Sequence, residues 1–168
     1  SKTQTRRAIK APNSVTAFRH FHEDRWDRMQ GDVRGDTVRC PYCQPGDRLW
    51  VRETWQLAGG GTGYWYAATD SKADDGNSPV SRWRPSIHMP RDASRITLEV
   101  TGVRVERLQD ISDTDCVREG VTPAECTDCD GWVNAYSVLW ESINGPGSWE
   151  ANPWVWVVTF KRVEGGAA

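Results

Sequence analysis

The sequence predicts an α+β protein, a small β-barrel with two or three flanking helices. Short runs alternate apolar and polar residues with a period of two around 49–52, 95–100 and 103–108. Two other stretches carry helix start and stop signals around apolar residues spaced for a helical face. Between them lie segments of turn composition and no internal repeat.

In chain order, Leu49 and Val51 alternate with Trp50 and Arg52, as a half-buried strand does. Tyr64–Ala67 is a second strand after a glycine-rich turn region. Segment 68–82 has loop composition. Ile96, Leu98 and Val100 alternate with Arg95, Thr97 and Glu99. Gly102 then interrupts, and 103–108 resumes the strand past a bulge. Ser112 caps a helix over 113–119, with Asp115 in the capping-box position and Gly120 as its stop. Val133, Tyr136, Leu139, Trp140 and Ile143 share one face of a second helix, which ends at Asn144-Gly-Pro146. Trp154–Phe160 is the last strand and reads as buried on both faces.

A chain of 168 residues can bury a core without staples, and ten Trp offset an apolar content of 38%. One domain over 1–163 and a disordered tail over 164–168 are expected. No run of 18 apolar residues occurs, so no membrane span is expected. No signal-peptide pattern is visible and the cysteine count is odd, so the expected location is the cytoplasm. The net charge of −2 argues against a generic polyanion binder. Its distribution is uneven: residues 1–52 hold 11 Lys/Arg against 6 Asp/Glu, and the remainder 10 against 17. That permits one positive face; solvated surface charge is the alternative.

The segment Ser-Lys-Thr-Gln-Thr-Arg-Arg-Ala-Ile-Lys at 1–10 and Gly-Asp-Arg-Leu-Trp-Val-Arg-Glu at 46–53 together resemble the ASCH family of PUA-like β-barrels. In that family a Lys-Thr-x-Thr-x-Arg segment lines a cleft, here Lys2, Thr3, Thr5 and Arg7. A Gly-Asp-x-Leu-x-Val segment opens a barrel strand, here Gly46, Asp47, Leu49 and Val51. The segments Trp83–Arg91, Arg95–Thr101 and Leu139–Val157 resemble the phage and prophage branch, which makes a host cytoplasm the implied location. Family members carry a strand and a short helix before the Lys-Thr motif, so further chain is expected before Ser1.

The resemblance implies binding of RNA, DNA or a modified nucleoside. Some members are amidohydrolases that remove the acyl group of N4-acetylcytidine with a Lys, a Thr and a Glu. By motif these are Lys2, Thr5 and Glu119, the last at the end of the helix-like Ile111–Glu119. A protonated lysine is a poor nucleophile, and burial or a nearby cation exposes its lone pair. On an extended segment Thr3, Thr5 and Arg7 share one face and Lys2, Gln4 and Arg6 the other; a turn at Ser1–Thr3 could bring Lys2 round. The bland alternatives are a solvent-facing Glu119, phosphate-gripping Lys2 and Arg7, and a turn-capping Thr5.

Trp83, Arg84, His88 and Arg91 fall within nine residues. They offer a stacking platform and phosphate contacts, or else Trp83 and Met89 plug the barrel end. The expected cleft lies between the Lys-Thr motif, this loop and the Glu119 helix end. Cys40-Pro-Tyr-Cys43 and Cys126-Thr-Asp-Cys129 are two Cys-x2-Cys pairs, the spacing of a structural Zn²⁺ site; reduced or redox thiols are the alternative. Cys116, inside the capped helix, is expected to be simply buried. Three functions follow: a nucleic-acid or nucleoside binder, an amidohydrolase on an N-acylated base, and a structural protein-interaction module.

Overall fold

The computed structural model describes residues 2–10, 15, 17–22, 25–58, 63–70, 83–122 and 131–163. The chain is α+β, mostly strands with three α-helices among the described residues, consistent with a small β-barrel and flanking helices. It divides into two compact units: Ser1–Asp47 with Val100–Lys161, and Arg48–Glu99 with Arg162–Ala168.

In the first unit, β1 (Gln4–Ala8) runs antiparallel to β9 (Trp154–Val163), with Gln4 opposite Thr159 and Ala8 opposite Val155. On the other side of β9 lies β8 (Thr97–Arg107). Val155, Trp156, Val157 and Val158 are all buried, so β9 is covered on both faces as its unbroken apolar run requires. The expected break at Gly102 is absent, and β8 is continuous through it. A Cβ there would stand 2.9 Å from Thr159 Oγ1. Gly102 therefore serves close approach of two strands.

Helix α2 (Asp113–Arg118) begins where Ser112 Oγ accepts the Asp115 N–H at 3.2 Å. It stops at Gly120, whose φ of +83° is a left-handed conformation open to glycine. Helix α3 (Trp132–Asn144) ends at Gly145. Ala135, Tyr136 and Trp140 pack with Leu108, Ile111, Cys116, Val155 and Val157 as one core. The buried stripe of α3 is narrower than its sequence suggests. Leu139 is 40% and Ile143 70% exposed, because both stand at the edge of the core beside a cleft.

The same unit holds a sheet not foreseen from sequence: β2 (Ala17–His22), β3 (Arg25–Gln30) and β4 (Val33–Arg39), antiparallel throughout. Asp27 is buried in it, accepting from Thr37 Oγ1 at 2.6 Å and paired with Arg34 Nε at 2.7 Å. Trp26 meets Trp156 edge-on, with ring centres 4.8 Å apart.

In the second unit, β5 (Arg48–Trp50) pairs antiparallel with Thr97–Glu99 of β8. A hairpin joins β6 (Trp55–Leu57) to β7 (Tyr64–Tyr66). The expected strand at 64–67 stops one residue early, at Tyr66, and α1 (Ala67–Asp70) follows. There the Asp70 carboxylate accepts the Tyr66 N–H at 2.7 Å. Trp55, Met89 and Ala93 form this unit's core beneath Tyr64 and Tyr66. No helix among the described residues is long and apolar enough to cross a membrane.

The cap of α2 is directly testable. Ser112→Ala removes the acceptor for the Asp115 N–H and should lower stability by about 1 kcal/mol in urea unfolding. An unchanged midpoint would show that the cap contributes nothing.

Candidate functional site

Strand β1 sets the site through simple alternation. Gln4 and Arg6 point into the first unit and are buried, Thr5 is half-buried, and Arg7 is exposed. Lys2 lies on the Arg6 side of this alternation, and its Nζ stands 3.2 Å from Glu119 Oε2. The Ser1–Thr3 turn suggested by the sequence begins outside the described residues, and Lys2 meets Glu119 from the Arg6 face. The segment is tied on both sides: the Thr3 N–H donates to Arg118 O at 2.8 Å, and the Phe160 N–H donates to Thr3 O at 2.9 Å. Gly120 brings the end of α2 against Lys2, where a Cβ would lie 3.4 Å from Lys2 Cβ.

Arg6 is the centre of the cluster, its side chain fully buried among three carboxylates. Nη1 donates to Glu119 Oε1 at 3.2 Å, and Nη2 to Asp115 Oδ2 at 3.1 Å and to Glu106 Oε1. Burial alone would lower its pKa, but Glu106 and Glu119 outweigh that and raise it. Asp115 shows the complement: burial would raise its pKa, yet Arg104 and Arg6 together lower it. Arg104 Nη2 reaches Asp115 Oδ2 at 2.9 Å, and Arg104 Nε reaches Glu106 Oε2 at 2.8 Å. With its nitrogen toward Asp115, the Gln4 amide donates to Oδ1 at 3.2 Å and accepts from Arg6 Nη1 at 2.8 Å. The Arg6 guanidinium also lies 5.9 Å from the Tyr136 ring centre, and burial pushes the Tyr136 phenol well above its ordinary range.

Above this cluster opens a cleft of about 200 Å³, lined by Lys2, Thr5, Arg6, Arg7, Glu119 and Tyr136 on its polar side. Leu139, Trp140 and Ile143 of α3 supply an apolar wall. Glu119 has a side chain only 3% exposed, whereas Lys2 remains 49% exposed and can meet a ligand. Arg7 has no carboxylate partner among the described residues. Arg6 Nε and Trp140 Nε1 are buried donors without a partner. Such donors are costly unless water or a ligand meets them. The arrangement offers an ammonium donor, a carboxylate acceptor, a hydroxyl and an unpaired guanidinium around one apolar wall.

Of the residues expected in the site, Lys2, Thr5, Arg7 and Glu119 line this one cleft. Thr3 contributes its backbone, and its side chain is exposed. Trp83, Arg84, His88 and Arg91 belong to the second unit. Trp83 is half-buried, and the other three are exposed. Arg84 bridges Trp55 through paired backbone bonds of 3.1 and 2.8 Å and lies over its ring at 5.2 Å. Met89 is buried in that unit's core, with its Sδ accepting the Glu53 N–H.

Cys40 and Cys43 are both buried. Burial first, then the neighbouring Cys40, pushes the Cys43 thiol up to about 11. Cys126 and Cys129 lie outside the described residues. Among the described residues no group of three or more His, Cys, Asp or Glu is placed to hold a metal ion. Cys116 is fully buried in the first core, and burial raises its pKa to about 11.

Sequence reasoning missed Arg6, Glu106, Asp115, Arg104 and Tyr136. The one available signal was parity: Lys2, Gln4 and Arg6 share a strand face, and a strand of a barrel must bury one face. Three polar residues on that face give no sign of burial in the sequence, which concealed a buried ionic cluster.

Arg6→Met should lower stability by about 3–5 kcal/mol, because it leaves buried carboxylates without their cation. Urea unfolding measures it; a loss below about 1 kcal/mol would show the cluster to be water-accessible. Comparison of the chain with protein-family models, with curated proteins and with solved structures gave no match.

Proposed function

We propose that the first unit binds a modified nucleoside, free or within RNA or DNA, in the cleft above Arg6. The observation that carries this reading is the Lys2–Glu119 contact of 3.2 Å beside the apolar wall of α3. A planar base needs an apolar surface and a fixed donor and acceptor for its polar edge. Trp140, Leu139 and Ile143 offer the first, and Lys2 with Glu119 the second. Arg7, exposed at the same cleft and without a carboxylate partner among the described residues, suits a phosphate. A volume of about 200 Å³ admits one such group rather than a long ligand. The resemblance of the Lys-Thr-x-Thr-x-Arg segment to ASCH proteins points the same way.

A second reading, amide hydrolysis on an N-acylated base such as N4-acetylcytidine, is favoured by the presence of Lys2, Thr5 and Glu119 in one cleft. In this mechanism the Glu119 carboxylate takes a proton from water, and the oxygen of that water attacks the acyl carbonyl. The Lys2 ammonium and the Thr5 hydroxyl donate to the developing oxyanion. The C–N bond then breaks, the base leaves as the free amine after gaining the proton, and the acyl group departs as a carboxylate. Lysine acts here as a donor held by Glu119 rather than as a nucleophile.

Calorimetric titration with cytidine and N4-acetylcytidine, with the product followed by chromatography, tests both readings. Binding that weakens at least tenfold in Lys2→Ala and in Glu119→Gln supports the cleft. Acetate release lost in Glu119→Gln supports hydrolysis, and acetylcytidine left intact restricts the cleft to binding. No binding of any nucleoside would count against the first reading.

We infer in addition that Cys40, Cys43, Cys126 and Cys129 hold one structural Zn²⁺. The support is the ligand spacing together with the burial of Cys40 and Cys43. Protein purified without chelators should contain about one zinc per chain by elemental analysis. Less than about a tenth of an equivalent would contradict the assignment.

A further inference from the structure

The second unit carries a guanidinium cluster that the cleft does not use. Trp50, at the end of β5, is half-buried. The Arg52 guanidinium lies 4.6 Å from the Trp50 ring centre and the Arg91 guanidinium 5.6 Å from it. Arg52 Nη1 also donates to Ile87 O at 3.2 Å, which fixes its direction. Both arginines are exposed, and Ile87 beside them is 68% exposed.

The nearby acids are engaged elsewhere. Glu53 holds Arg95 through two bonds of 2.9 and 2.8 Å, and Asp92 accepts from the Tyr64 hydroxyl at 2.6 Å. Among the described residues neither Arg52 nor Arg91 has a carboxylate partner. Two guanidiniums are thus held against one indole with no carboxylate bound to either among the described residues. A stacked guanidinium loses little freedom when its remaining N–H groups meet an anion. Its flat outer surface can also stack on an unpaired base.

The geometry points to a contact site for the backbone of single-stranded nucleic acid, with the N–H groups of Arg52 and Arg91 on phosphates, their outer planes and Ile87 against exposed bases, and Trp50 as the support beneath the guanidiniums. A single strand fits better than a duplex, whose bases are already stacked and whose outer surface would use only the charge. The inference rests on the reading that nucleic acid is the ligand, and it extends the substrate class from a nucleoside to a polynucleotide.

The test is fluorescence anisotropy of a labelled, unmodified RNA strand of about twelve nucleotides, titrated with the full chain across a salt series. Binding should weaken with salt, and Arg52→Ala/Arg91→Ala should flatten the log–log slope by about 1.4, the share of two phosphates on a single strand. Affinity at low salt should fall about tenfold or more in that variant. Arg52→Lys/Arg91→Lys, which keeps charge but not the plane, should retain the slope and lose affinity. The double alanine variant should keep its affinity for the nucleoside, since neither arginine lines the cleft, which separates the two sites: nucleoside binding can fail while strand binding stands, and the reverse. An unchanged slope and affinity in the double alanine variant would overturn the inference. So would equal affinity for the matching duplex, or equal competition by an acidic peptide.

Discussion

A buried arginine cannot sit alone in a protein interior, and much of the first unit can be understood as the answer to Arg6. Its guanidinium faces Glu106 from β8, Asp115 from α2 and Glu119 from the end of that helix. The three acids lie 100, 109 and 113 residues along the chain from Arg6, so the cluster fixes β1 against β8 and α2. An apolar side chain of similar size would satisfy packing at lower desolvation cost. What the ionic solution adds is direction: each carboxylate oxygen has a prescribed partner. Glu119 in particular is held by Arg6 at one oxygen and reaches Lys2 with the other.

That division of one carboxylate between two cations explains the character of the cleft. The inner cation is inaccessible and structural, and the outer one is half-exposed and available. Behind them Tyr136 and Trp140 belong to both the core and the cleft, so the apolar wall of the cleft is continuous with the packing beneath it. A site built on strands and helices holds its groups more closely than one built on loops. The second unit has a different chemistry. Arg52 and Arg91 rest on the Trp50 ring, whereas Arg95 is held by Glu53.

Local rules made much of the fold legible. The Ser112 cap, the Gly120 stop and the doubly buried β9 all follow from residue types at fixed offsets. The β2–β3–β4 sheet did not, because β3 buries Asp27 next to Trp26 and β4 is exposed almost throughout, so neither shows a period of two. Gly102 looked like an interruption because closeness to Thr159 is a tertiary fact that sequence does not display. Leu139 and Ile143 fit the helical spacing of a core but edge a cleft, since periodicity reports a face and not what covers it. In the site, the motif singled out Lys2, Thr5, Arg7 and Glu119, while the group that organises them, Arg6, was hidden by its polarity.

The central claim is that Lys2 and Glu119 act on a ligand as one unit. A double-mutant cycle on nucleoside binding, with Lys2→Ala, Glu119→Gln and the pair together, addresses it most directly. If the two groups act together, the double variant should bind no more weakly than the worse single variant, with a coupling of about 1 kcal/mol or more. Strict additivity of the two losses would contradict a shared role and leave Glu119 as a structural partner of Arg6 alone.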